Sequence, residues 1–240
     1  MMYHPNKKQS HELSFYNIDN AEEIFLMTKD IIRIQAWLKK PKDNNEMVIL
    51  FPGNAGNLEN RVDKLKQLDK MGYGFIIPSW RGFGKSEGNP NKEGLLLDAE
   101  ATIDYVKDQG YDLSNVIMVG ESLGTGIATE MAVKYKFKGL FLITPYTSIA
   151  DRAGEIYPFL PTKYLTKDNF QVEANIASIN QPLFIIHGTK DLVIPFQHSN
   201  RIFEQAKMPK KIIIYPDIGH NNYDVKEIFE EMKIFFDSIK

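Results

Sequence analysis

Apolar and polar positions along the chain fall into short blocks whose period keeps changing. Met47-Val48-Ile49-Leu50-Phe51, Phe75-Ile76-Ile77, Val116-Ile117-Met118-Val119, Leu140-Phe141-Leu142-Ile143, Leu183-Phe184-Ile185-Ile186 and Ile212-Ile213-Ile214-Tyr215 are unbroken apolar runs. Such runs are expected of strands buried on both faces. Between them the spacing lengthens to that of a helix face: Leu58, Val62, Leu65 and Leu68, closed by Met71-Gly72; Leu96, Ala99, Ile103 and Val106; then Ile127 to Tyr135 and Gln197 to Ala206. Val225, Ile228, Phe229, Met232, Phe235, Phe236 and Ile239 mark a C-terminal amphipathic helix. Two more strands, 22–27 and 31–38, flank Lys29-Asp30; the second alternates in part and is expected to be half exposed. Lys39 to Glu46 reads as a polar loop. Alternating strands and helices predict an α/β fold: a mainly parallel central sheet with helices on both faces.

One stretch breaks the pattern. Residues 145–181 are punctuated by Pro145, Pro158 and Pro161, yet Tyr157, Phe159, Leu160, Tyr164, Leu165 and Phe170 make them apolar. They read as an irregular small lid over a site, or equally as plain packing of a crossover helix. With no internal repeat or linker, 1–240 is expected to be a single domain. The net charge of −2 gives no basic excess for nucleic acid. The absence of cysteine excludes disulfide and thiolate chemistry. No apolar run reaches the ~18 residues that a spanning helix needs. The start of the chain lacks the apolar core of a signal peptide, so a soluble, cytoplasmic protein is expected.

The chemistry centres on Gly120-Glu121-Ser122-Leu123-Gly124, set between an apolar run and a helical one. A serine at the tip of a strand-to-helix turn, with glycines two positions away on either side, is a nucleophile elbow. Strand and helix nearly touch there, so Gly120 and Gly124 must be small, and Gly126 is read as letting the helix approach the sheet. A serine hydroxyl needs a base to take its proton and a carboxylate to orient that base. His220 follows the last strand, with Gly219 before it to permit a tight approach. Asp191 follows the penultimate strand, and Asp217 is its nearer rival on the histidine loop. The order Ser122, Asp191, His220 fits this fold type. Two backbone N–H groups would bind an oxyanion: that of Leu123, and one in Gly53-Asn54-Ala55-Gly56, where Asn54 is chosen and Ala55 stays open. His187 is read as a structural hydrogen bonder near the acid loop, His198 as lying on a solvated helix start, and Arg81 as bracing its loop. Gly84-Lys85-Ser86 is not a P-loop, because Ser79 stands where its first glycine belongs. No cysteine-histidine cluster or H-E-x-x-H offers a metal site.

Taken as a set, Pro52 to Asn57, Arg81 to Ser86, Gly120 to Gly126, His187 to Pro195 and Gly219-His220 resemble the α/β-hydrolase superfamily. They are most similar to small serine hydrolases of the ABHD type, depalmitoylases among them, and their bacterial relatives. The resemblance runs from about Glu22 to the C-terminus. It implies hydrolysis of carboxylic esters or acyl thioesters by Ser122, His220 and Asp191 without a cofactor, on a small-molecule or lipid-like acyl substrate. A serine peptidase of short peptides and a catalytically silent binding protein are the alternatives. Pro52 departs from the pattern: many such proteins carry histidine there. Many also carry an N-terminal membrane anchor ahead of a start like Tyr3-His4-Pro5.

Overall fold

A computed structural model describes residues 2–42 and 46–239. The polar loop expected over Lys39 to Glu46 therefore lies partly outside the described residues. Eight strands form one sheet: β1 Ala21–Met27, β2 Arg33–Lys39, β3 Met47–Phe51, β4 Gly74–Pro78, β5 Val116–Glu121, β6 Gly139–Ile143, β7 Leu183–Gly188 and β8 Lys210–Tyr215. Their order is β8-β7-β6-β5-β3-β4-β2-β1. Only β2 runs against its neighbours; the other pairings are parallel.

Five of the six apolar strands, β3 to β7, are buried on both faces, where successive side chains point to opposite sides; the sixth, β8, stands at the sheet edge and is only half-buried, contrary to the expectation from its apolar run. Val48, Leu50, Ile117, Val119, Phe141, Phe184 and Ile186 pack on one side, against α1 (Val62–Lys70) and the C-terminal α8 (Val225–Asp237). Ile49, Phe51, Met118, Leu142 and Ile185 pack on the other, against α2 (Lys92–Asp108) and α3 (Leu123–Lys134). After β3 the chain crosses over one face, and after β5 over the other. The crevice beyond the carboxyl ends of β3 and β5 is thus a topological switch point, where open α/β sheets place their sites.

Strand β2 is not half exposed as its alternation suggested; all but Arg33 is buried. Its polar face is covered by the N-terminal segment. Gln35 Nε2 donates to Gln9 Oε1 (2.9 Å) and Glu23 Oε2 (2.6 Å), Lys39 Nζ donates to the Asp19 carbonyl, and Trp37 packs on Tyr16. The half-exposed strands are those at the two edges, β1 and β8. Residues 145–181 are more regular than expected. They hold α4 (Ile149–Ile156), α5 (Thr162–Leu165) and α6 (Val172–Ser178), with α7 (Gln197–Gln205) following β7. Phe170 and Val172 belong to the core, whereas Tyr157 to Leu165 stand on the surface. Arg81 braces its loop as anticipated: its N–H and guanidinium bond buried Asp98 (2.8 and 2.9 Å) and its other nitrogens bond Asp30 (2.7 and 3.0 Å).

Candidate active site

Strand β5 ends in the sharp turn that the glycines foretold. Ser122 has φ 50° and ψ −115°, a strained conformation for a residue with a Cβ. Three bonds hold it: Ser122 N–H donates to Ile143 O (2.9 Å), and Thr125 N–H and Oγ1–H both donate to Ser122 O (2.9 and 2.7 Å). A Cβ on Gly124 would stand 2.0 Å from Phe51 O, and one on Gly120 2.8 Å from Gly124 O. Those two positions let helix and strand touch. Gly126 serves another contact, since its Cβ would meet the Tyr146 hydroxyl and Phe170 rather than the sheet. At Gly219 a Cβ would come within 3.3 Å of the Asn222 side chain, a close contact but not the tightest against the histidine loop. The tightest is at Gly188, where a Cβ would lie 2.2 Å from Ile218 O.

The loops after β7 and β8 bring the other two residues to the serine. His220 Nε2 lies 3.1 Å from Ser122 Oγ, and its Nδ1 lies 2.7 Å from Asp191 Oδ2. With the proton on Nδ1, His220 donates to the carboxylate and presents an acceptor to the serine hydroxyl. Asp191 Oδ1 accepts from the N–H groups of Val193 and Ile194, each at 2.8 Å. Burial works against its charge. The bonds from His187, His220 and Ile194 outweigh that and hold its carboxyl well below the usual carboxylate range. Asp217 takes no part: it has φ 62° and its exposed carboxylate pairs with Lys190 at 2.7 Å.

His187, expected to make a structural bond, makes three. Its Nδ1 meets Ser199 Oγ at 2.6 Å, and its Nε2 meets Ile194 O at 2.8 Å and Asp191 Oδ2 at 3.1 Å. The acid thus receives a histidine from each side. His198 corrects the sequence reading. It does open α7, but it is buried, taking Thr147 N–H at Nδ1 (3.2 Å) and meeting Glu155 at Nε2 (3.1 Å). Burial, only partly offset by Glu155, lowers its pKa.

The loop after β3 passes over the serine, and the proline in it does not leave it loose. Pro52 O accepts from Trp80 Nε1 (3.0 Å). Asn54 O accepts from His4 N–H (2.8 Å), and Asn54 Nδ2 donates to Met2 O (2.8 Å). His4–Pro5 pairs in parallel with Ala55–Gly56. The carbonyl and side chain of Asn54 are therefore engaged on the N-terminal side. Among the described residues, neither its backbone N–H nor that of Leu123 finds an acceptor. Ala55 O receives Arg61 Nη2 (3.3 Å).

Arg61 leads to a group that sequence reasoning missed. Arg61 Nε and Lys64 Nζ each stand 3.1 Å from the carboxylate of Glu121, the residue before the serine. Burial opposes ionisation of Glu121, yet the charges of Lys64 and Arg61 bring its pKa down to about 2. A depressed carboxyl stabilises the fold above its unfolded value, near 4.5, and that contribution is lost as pH falls towards 2. The urea midpoint is expected to drop across this window, and to drop less steeply in Glu121→Gln. Equal slopes for the two proteins would show that the ion pairs add nothing.

Two clefts meet at the serine, both touching Asn54 and Ser122. One, of about 400 Å³, is polar, with Asn60, Arg61, Lys64, His220 and Asn221 in its walls. The other, of about 440 Å³, is mainly apolar, with Leu123, Ile149, Ile156, Tyr157, Val193 and Ile194.

The α/β-hydrolase fold family profile matches residues 46–177. An uncharacterized protein of Mycobacterium tuberculosis is 30% identical over 205 residues, 84% of this chain and 73% of its own. Among solved structures, the Pyrococcus furiosus esterase Pf2001 superposes with a TM-score of 0.74 at 18% identity, over 99% of this chain and 95% of that one. Est1E from Butyrivibrio proteoclasticus, solved with ferulic acid bound, gives 0.73 at 21% identity, over 88% and 97%. With the strand order, the elbow and the matched profile in agreement, the chain belongs to the α/β-hydrolase fold family.

Proposed function

We propose that the protein is a serine hydrolase that cleaves carboxylic esters or acyl thioesters through an acyl-enzyme. The observation that carries this reading is the unbroken chain Ser122 Oγ, His220, Asp191 at the head of an apolar cleft. Ser122 Oγ attacks the acyl carbon while His220 Nε2 takes its proton. Asp191 steadies the imidazolium. The N–H groups of Leu123 and Asn54 receive the charge on the carbonyl oxygen. His220 then gives its proton to the departing alcohol or thiol. A water, deprotonated by His220, attacks the acyl-enzyme, and Ser122 leaves with the proton returned. The esterases of similar fold agree with this reading without fixing a substrate.

The clefts divide the substrate. The apolar one suits the acyl chain, and the polar one a hydrophilic leaving group. Each buried methylene contributes about 0.8 kcal/mol, or roughly fourfold in kcat/KM. With p-nitrophenyl esters and acyl thioesters of rising length, kcat/KM is expected to climb from acetyl to medium chains. Ile156→Asp, in the cleft wall, should flatten the climb. Best activity on acetyl esters would leave a short-chain esterase with no use for the apolar cleft.

A further inference from the structure

The segment from the end of α4 through α5 exposes side chains that a water-facing surface does not favour. Phe159 is 79% exposed, Tyr164 91% and Leu165 62%, with Ile156 and Leu160 beside them. Across the cleft mouth, Leu192 is 90% exposed. These belong to one surface. Arg152 on α4 donates to Val193 O (2.6 Å) and Leu192 O (3.4 Å), tying the loop after β7 to the helix. The rings of Tyr157 and Phe159 meet edge to face at 6.4 Å, and α5 packs against α4, where a Cβ on Gly154 would touch Thr162 Oγ1 at 3.0 Å. Ile156, Tyr157 and Val193 also line the apolar cleft, so the exposed patch runs without a break into the site. Contiguous apolar surface of this kind marks a docking face.

The charges select the partner. From Ile156 to Lys167 the sequence holds Lys163 and Lys167 and no acidic residue, and the two acids of α4 are paired, Asp151 with Arg201 and Glu155 with Arg152 and His198. Both lysines are exposed, and among the described residues neither is in an ion pair. Asp168, next in the chain, is turned inward to accept the Tyr3 hydroxyl (3.0 Å). Lysine is depleted from the cores of protein interfaces. Aromatic and aliphatic side chains flanked by lysines are the composition of segments that lie in a lipid headgroup layer, where anionic lipid attracts the ammonium groups.

We infer that the surface formed by α4, α5 and the loop after β7 docks on an anionic phospholipid bilayer, placing the mouth of the apolar cleft against it. An acyl substrate would then pass from lipid to Ser122 without crossing water, a consequence that rests on the hydrolase reading. The docking itself does not, and it can be measured with Ser122→Ala, which cannot turn over.

The test is flotation of the full chain, as Ser122→Ala, with vesicles of phosphatidylcholine alone or mixed with phosphatidylglycerol. Co-flotation is expected with the mixed vesicles. Lys163→Glu with Lys167→Glu should weaken it by at least tenfold, since each lysine near an anionic surface accounts for roughly fivefold. Phe159→Asp with Leu165→Asp should abolish it, and Leu192→Asp, on a separate loop, should weaken it independently. The Phe159→Asp, Leu165→Asp variant should keep the thermal unfolding midpoint of its Ser122→Ala parent, which shows that it folds. No flotation of the parent protein, or equal flotation of the aspartate variants, would overturn the inference. So would a parent that is dimeric in solution and becomes monomeric in the aspartate variant, because a second copy would then cover the patch.

Discussion

Ser122→Ala is expected to lose all labelling by a fluorophosphonate probe and to lower ester turnover by about 10⁶-fold. Such a probe reacts with a serine only when a base has raised its nucleophilicity and an oxyanion site receives the phosphoryl oxygen. Both conditions are local here: Ser122 Oγ stands 3.1 Å from His220 Nε2, and the N–H of Leu123 opens α3 beside it. The replacement leaves the backbone with φ near 50°, which alanine tolerates no worse than serine, so the variant should fold. Thermal unfolding close to that of the parent separates lost chemistry from lost structure. Labelling that survives in the folded variant would remove Ser122 as the nucleophile. A parent protein that is never labelled, despite being folded, would favour the binding-protein alternative.

The parts of this site that could be seen in the sequence are those with local rules. An elbow needs small residues where strand and helix touch, and Gly120 and Gly124 meet Phe51 and each other as their spacing requires. Asp191 and His220 were singled out because the site of an open α/β sheet is expected beyond the carboxyl ends of its strands, and the fold brings both to Ser122. The unbroken apolar runs located six strands of the eight, five of them buried on both faces and the sixth, β8, half-buried because nothing pairs with its outer edge in the sheet. The other contributors act across long separations and leave no period. Arg61 and Lys64 reach Glu121 from α1 and the turn before it. Met2 and His4 bind Asn54 from the far end of the chain. The same N-terminal segment hides the polar face of β2, which alternation alone had placed towards solvent. His198 was misplaced because its partners, Thr147 and Glu155, come from the loop before α4 and from α4 itself. The apolar residues of 145–181 divide in two: Phe170 enters the core, and Phe159 and Tyr164 do not. Composition could not separate them.

Asp191→Asn is expected to cost about 10⁴-fold in kcat, as loss of the orienting carboxylate does in a serine protease, while Asp217→Asn changes it by less than about threefold. The difference follows from what each carboxylate touches. Asp191 Oδ2 accepts from His220 Nδ1 at 2.7 Å and from His187 Nε2 at 3.1 Å. An amide can give one oxygen to these donors, and Oδ1 is already needed by the N–H groups of Val193 and Ile194. If the oxygen stays with those two N–H groups, the amide nitrogen faces His220 and donates to Nδ1. That moves the imidazole proton to Nε2, where it blocks transfer from Ser122. If the amide flips, Val193 and Ile194 lose their acceptor and the loop after β7 loosens, so KM should rise as well. Among the described residues the Asp217 carboxylate pairs with Lys190 alone, on the surface, an interaction worth about 0–1 kcal/mol. Steady-state kinetics on one ester, with circular dichroism to confirm that both variants fold, decides between them. A large loss in Asp217→Asn with near-normal turnover in Asp191→Asn would transfer the role of the acid to the histidine loop.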